Sequence, residues 1–179
     1  MTTAPAIELR TFTTLGVARG DLIDVYADVR APLLHLPNYA VTAFGERLDR
    51  HGAEPGFIAV VGYADEQPVG YAYGNTIEHG DRYWQRTAPM PADEYTERPA
   101  VALKEIGVRT AWRGTGTARR IFDALLATRE EPYVTLMVNP AAGDGKVQAL
   151  YRSWGFEGIG RSQPSAASPV LTVMIRATR

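Results

Sequence analysis

Arg113-Gly114-Thr115-Gly116-Thr117-Ala118 is the stretch on which the reading of this chain turns. Before it, Val101 to Val108 is an apolar segment that reads as a strand. After it, Ala118, Ile121, Phe122, Leu125 and Leu126 fall at i, i+3, i+4, i+7 and i+8, one face of an amphipathic helix. A helix start leaves its first N–H groups unpaired and carries partial positive charge. Glycines there let the backbone curl until several N–H groups converge on one anion. Arg113 adds a full positive charge beside them. The spacing predicts a pyrophosphate cradle.

Two nucleotide motifs fail at this turn. The dinucleotide fingerprint needs a glycine where the chain has Arg119. A Walker loop needs Gly-Lys followed by Ser or Thr, and the Gly145-Lys146 pair is followed by Val147, with Pro140 where the first glycine belongs. What remains is Arg113, Gly116 and Ala118 at the spacing of the acyl-CoA pyrophosphate loop of the GNAT superfamily, which this segment resembles. Ala118 stands where glycine is commoner, a choice the family pattern admits. A glycine-rich strand-to-helix turn also serves simply as a tight connection, so the flanks matter.

Those flanks carry the likeness further. Leu103-Lys104-Glu105-Ile106-Gly107-Val108 looks like the family's fourth strand, which runs into the loop. The resemblance implies that the backbone of Ile106 and Val108 binds the pantetheine arm as an added strand would. Downstream, Val138-Asn139 and Leu150-Tyr151-Arg152-Ser153-Trp154-Gly155-Phe156 resemble the family's asparagine and its LYxxxGF segment. By that resemblance Arg113 to Ala118 and Asn139 contact acetyl-CoA, and Tyr151 lies near the acyl sulfur and protonates the departing thiolate. The strand ending at Asn139 would splay from the fourth strand. Simpler readings stand beside these. Val147, Leu150, Tyr151 and Trp154 share one helical face, so packing alone explains the Tyr151 ring, and Asn139 before Pro140 also makes a strand-ending turn.

Elsewhere the order of elements agrees. Ala6 to Phe12 reads as a first strand, and Leu22, Val25, Tyr26 and Val29 mark a helix. A second helix covers Ala40 to Arg50. Phe57 to Tyr63 and Val69 to Ile77 read as a hairpin whose bend, Ala64 to Pro68, suits Pro68 and Gly70. Gly80 to Pro99 reads as a long loop, Tyr133 to Val138 as a strand, Val147 to Trp154 as a helix ended by Gly155, and Val170 to Ile175 as the last strand. The expected fold is a single α/β domain over residues 1–179, a mixed twisted sheet with helices on both faces and a splayed central parallel pair.

Composition sets limits. The chain has 179 residues, 45% hydrophobic and 22% charged, enough for one core without metal or disulfide. A net charge of -1 gives no reason to expect nucleic acid or an anionic membrane as partner. Cysteine is absent, which removes disulfides, thiolate zinc sites and a cysteine acyl-enzyme. Glu8 and Arg10 interrupt the opening MTTAPAIELR, so no secretory signal is expected, and the longest apolar run, Phe57 to Ala64, is too short to span a bilayer. A cytoplasmic protein is the expectation.

Acetyl transfer to an amine requires a proton acceptor, because free alkyl amines are mostly protonated at pH 7. Glu105 is the first candidate, sharing a strand face with Leu103 and Gly107 while Lys104 and Ile106 point the other way. An ion pair with an arginine accounts for it equally well, and a water relay is a third route. His35, His51 and His79 show no metal spacing and read as surface or loop residues; His79, opening the long loop, is the one to test as a base. Asp81, Asp93, Glu94 and Glu97 interleave with Tyr83, Trp84 and Tyr95, a pattern that suits a cationic acceptor or merely a solvated loop. The reading is an N-acetyltransferase moving acetyl from acetyl-CoA to a small-molecule amine in a ternary complex, without metal. Homodimers are common in the family, and no stretch here marks an interface. The rival is an acyl-CoA-binding module without turnover.

Overall fold

The computed structural model describes residues 6–179; the opening MTTAP, part of the stretch read for a leader, lies outside them. Its strands are β1 (Glu8–Phe12), β2 (Ile58–Ala64), β3 (Gln67–Ile77), β4 (Ala100–Val108), β5 (Tyr133–Val138), β6 (Glu157–Ser162) and β7 (Leu171–Ala177). They form a sheet in the order β1-β2-β3-β4-β5-β7-β6. The helices are α1 (Arg19–Val29), α2 (Val41–Gly52), α3 (Arg82–Gln85), α4 (Asp93–Thr96), α5 (Thr117–Ala127) and α6 (Lys146–Ser153). The sheet is mixed: β4 and β5 run parallel, while β1–β2, β2–β3, β5–β7 and β6–β7 are antiparallel. The parallel register covers Val101–Leu103 against Val134–Leu136, and β4 continues beyond it to Val108. Two units make up the chain, Met1–Asn75 with Lys104–Thr128 and Thr76–Leu103 with Arg129–Arg179.

In the first unit, alternation along the hairpin sorts helices to two faces. Ala59, Val61, Tyr71 and Tyr73 join Leu22, Val25 and Tyr26 of α1 and Phe44 and Leu48 of α2 in one buried core. The opposite face carries Gly62 and Gly70, which are register partners. A Cβ at Gly70 would lie 2.9 Å from Ile121 Cδ1, 3.0 Å from Val108 Cγ2 and 3.1 Å from the Gly107 carbonyl oxygen. The missing side chains therefore seat α5 against the strands, and with it the turn that precedes α5. Gly70→Ala should destabilise the protein by about 1–3 kcal/mol, since the carbonyl cannot swing aside as a side-chain tip does. Urea unfolding measures this; an unchanged midpoint would mean that α5 shifts freely.

The hairpin bend is made differently from expectation. Asp65 and Glu66 both take left-handed backbone angles (φ 47° and 64°), a two-residue turn whose twist matches its strands. Pro68 lies within β3 opposite Tyr63, and Gly70 serves packing.

The second unit contains a strand that periodicity did not reveal. Residues 157–162 read EGIGRS, with two glycines and little apolar alternation, because β6 is a largely exposed edge strand with few side chains to bury. Gly160 allows the 80–99 segment to lie against it: a Cβ there would be 3.0 Å from the Ala88 carbonyl oxygen. The Ala88 N–H donates to Arg161 O at 2.8 Å, and Arg161 N–H donates back to Ala88 O at 2.9 Å. The expected long loop is thus a structured segment carrying α3 and α4. Trp84 is buried with Ile77, Ala100, Ala102 and Ile175, while the half-buried Tyr83 packs against that cluster and bonds its hydroxyl to Thr135 Oγ1 at 3.1 Å.

Candidate functional site

The turn read as an anion cradle belongs to the first unit. Gly114 and Gly116 stand at φ +72° and +80°, angles that L side chains rarely adopt, and no heavy atom lies within 4 Å of where either Cβ would sit. Gly116 is the N-cap of α5, so the helix opens directly out of the left-handed turn. Two hydroxyls brace it from within: Thr115 Oγ1 donates to the Trp112 carbonyl and lies 2.7 Å from the Oγ1 of buried Thr117. Ala118 is half-buried at the start of the helix. Arg113 is exposed, and among the described residues it makes no ion pair. The exposed stretch from Arg113 to Gly116 thus leads straight into the start of α5, where a helix carries partial positive charge.

Ile106 and Val108 lie in the part of β4 beyond its parallel register, Val108 almost fully buried and Ile106 partly exposed. Glu105 is 16% exposed and accepts from Arg30 Nη2 at 3.3 Å. Its neighbour Lys104 stands 3.9 Å from Glu54, which also accepts from Asn75 at 2.5 Å. Arg30 caps α1 and Glu54 follows α2.

Around Glu105 lie residues that sequence reasoning passed over. Tyr26 stacks on Phe44 with centroids 3.8 Å apart, and Tyr71 and Tyr73 stack at 6.4 Å. Burial, and next the Glu105 carboxylate, push the hydroxyls of all three tyrosines above the ordinary phenol range. His51, expected on the surface, is instead half-buried with Nδ1 3.0 Å from the Tyr73 hydroxyl. Burial, then the charges of Lys104, Arg50 and Arg47, drive its pKa down to about 3.

This depressed value gives a sign to the pH dependence. The unfolded ring titrates near 6.5 and the folded ring far lower, so its contribution is present above pH 6.5 and is lost as pH falls toward 3. At pH 5 the loss amounts to about 2 kcal/mol. Unfolding of the parent and of His51→Phe at pH 7 and pH 5 checks this, with a smaller pH slope expected in the variant. Equal slopes would mean that the ring takes up its proton without disturbing the fold.

The second unit holds the remaining sequence-predicted residues. Asn139 Oδ1 accepts from Ala141 N–H at 3.0 Å, the strand-ending turn, and its amide N–H groups have no partner among the described residues. Tyr151 is half-buried on α6, edge-on to Trp154 at 5.7 Å and to Phe156 at 5.9 Å. The helix stops at Gly155, whose φ of +93° ends it as expected. His79 donates from Nδ1 to the Thr96 carbonyl at 3.0 Å. The acidic-aromatic pattern of residues 81–97 does not make one face: Asp93, Glu94 and Glu97 are exposed while Trp84 is buried and Tyr83 packs inward. Burying those large rings outweighs leaving them for a cation. Among the described residues no group of three or more His, Cys, Asp or Glu is arranged to hold a metal, and no helix is long and apolar enough to cross a membrane.

Comparison with known proteins follows the same lines. The family model described as Acetyltransferase (GNAT) family matches residues 23–156. No curated protein matches the chain. Among solved structures, PH1933 from Pyrococcus horikoshii OT3 is similar with a TM-score of 0.70 at 19% identity, covering 96% of this chain and 98% of that one. PaiA N-acetyltransferase from Thermoplasma acidophilum, in complex with coenzyme A, gives 0.60 at 11% identity, with 96% and 99% covered. The aminoglycoside N-acetyltransferase AAC(6')-Iy, in complex with CoA, gives 0.64 at 14%, with 92% and 97% covered.

Proposed function

From the premise that the chain belongs to the acetyltransferase (GNAT) family and is an acetyl-CoA-dependent acetyltransferase, we propose that it acetylates the primary amine of a small molecule by direct attack in a ternary complex. Residues 1–179 act as one catalytic domain in this proposal. The observation that carries it is the pair of left-handed glycines, Gly114 and Gly116, with open space at both Cβ positions immediately before α5. That two CoA-bound acetyltransferases share the fold supports the same donor, and an aminoglycoside enzyme among them supports a small acceptor.

Acetyl-CoA supplies the thioester. Arg113 and the N–H groups of Gly114 to Ala118 hold its pyrophosphate, the Ile106 and Val108 backbone its pantetheine arm, and the Asn139 amide a further polar contact. As the C–N bond forms and the C–S bond breaks, Glu105 takes the proton released by nitrogen and Tyr151 gives its phenolic proton to sulfur. Solvent then reprotonates Tyr151 and deprotonates Glu105. The Arg30–Glu105 pair favours a second reading, an acyl-CoA-binding module without turnover, because it gives the carboxylate a structural partner of its own.

Binding and turnover are tested separately. Acetyl-CoA at a hundredfold excess over a micromolar Kd should stabilise by about 2.7 kcal/mol, raising Tm by roughly 5–10 °C. NADH and ATP should give no comparable shift. Thiol release with a panel of amines distinguishes enzyme from binder. An equal shift with ATP and none with CoA would remove the donor assignment.

A further inference from the structure

The last helix of the second unit buries a different face from the one its apolar residues mark. Val147, Leu150, Tyr151 and Trp154 share a helical spacing, yet Leu150 is 46% exposed. Gln148 turns inward instead: Val147, Gln148 and Tyr151 are the half-buried residues of α6, and the rest of that helix is exposed. Turning a leucine out and a glutamine in forfeits apolar burial. A second cost comes with it. Gln148 Oε1 is shielded from solvent and has no hydrogen-bond partner among the described residues. Buried polar atoms without partners are few in folded proteins, and each calls for an explanation.

Tyr151 stands one turn further along the same helix. Residues i and i+3 are neighbours there, with Cβ atoms about 5–6 Å apart. The helix thus sets an amide carbonyl, which accepts, beside a phenol, which donates. In acetyl-CoA the thioester sulfur is followed, two methylenes away, by an amide N–H. That step along the donor suits the step between the two side chains, with the hydroxyl at the sulfur and the carbonyl at the N–H. The attacking amine is a poorer match for Gln148. It must give up a proton, and an amide carbonyl is too weak a base to take one.

We propose, resting on the acetyl-transfer reading, that Gln148 is a positioning residue for the donor. Its Oε1 accepts the amide N–H nearest the sulfur of acetyl-CoA and so sets the thioester against Tyr151. The glutamine lowers the stability of the free protein and recovers that loss when the donor binds.

The test uses the full chain, CoA, and a CoA analogue with an ester oxygen in place of that amide N–H. Gln148→Met keeps an unbranched side chain and a good helix former while removing the acceptor. Expected is a free variant that melts no lower than its parent, since it no longer buries an unpaired carbonyl. Its Kd for CoA should rise about tenfold in calorimetry, the loss of one hydrogen bond made in a buried place. The parent should bind the analogue about tenfold more weakly than CoA, and the variant should bind the two alike, because the N–H and its acceptor act as a pair. A variant that loses affinity equally for both ligands, or melts lower, makes Gln148 a packing residue and overturns the positioning role. An unchanged Kd for CoA overturns it too, including the case in which only the KM of the amine rises. A parent that binds no CoA removes the donor assignment itself, and the positioning role with it.

Discussion

Gly116→Val should lose CoA binding by more than a hundredfold in calorimetry and still fold. Valine at a φ of +80° forces a β-branched side chain into a backbone region it rarely enters, at a cost of about 1–3 kcal/mol. No neighbour lies within 4 Å of the new Cβ, so that strain is the whole penalty to the free protein, and the melting point should drop by only several degrees. The ligand suffers twice. Methyl groups occupy the space the pyrophosphate would fill, and relaxing the strained angle turns the N–H groups of 116 to 118 away from a common point. Arg113→Ala should be milder, on the order of tenfold, because it removes one exposed charge and leaves the cradle. A Gly116→Val protein that binds CoA like its parent would place the anion elsewhere.

Tyr151→Phe should separate chemistry from packing. The ring keeps its edge-on contacts with Trp154 and Phe156, so stability and CoA affinity should change little. If the phenol protonates the departing sulfur, kcat falls by about 10²-fold, the low end for a general acid. The loss belongs in kcat more than in KM, because the proton is shared only in the transition state. Near-parental kcat together with a lowered melting point would make the hydroxyl a structural group.

What was legible in the sequence was what is local. Ile121, Phe122, Leu125 and Leu126 repeat with a helical period because α5 buries one continuous face, and Tyr133 to Val138 matched β5 end to end. Gly155 announced the end of α6 because only a left-handed residue turns the chain there cheaply. The features that escaped are long-range. Ala88 lies on Gly160, Tyr71 runs beside Gly107, and His51 meets Tyr73, and no periodicity records such encounters. The helices α3 and α4 are single turns of four residues, too short to show a repeat. The ion pairs of Lys104 with Glu54 and of Glu105 with Arg30 likewise join residues far apart in the chain.

The way the two units share the chain bears on its synthesis. The polypeptide leaves the first unit at Asn75, returns at Lys104 and leaves again after Thr128. At roughly 5–20 residues per second, several seconds separate the emergence of β3 from that of α5 during translation. Until β4 emerges, β3 has a neighbour on one side only, and until α5 emerges Gly62 and Gly70 lack the helix that covers them. A nascent chain in that state invites pairing with another chain or a chaperone. Ribosomes stalled after β3 has cleared the exit tunnel but before β4 has should therefore display a protease-sensitive intermediate, which becomes resistant only once the helix beginning at Thr117 has cleared the tunnel too.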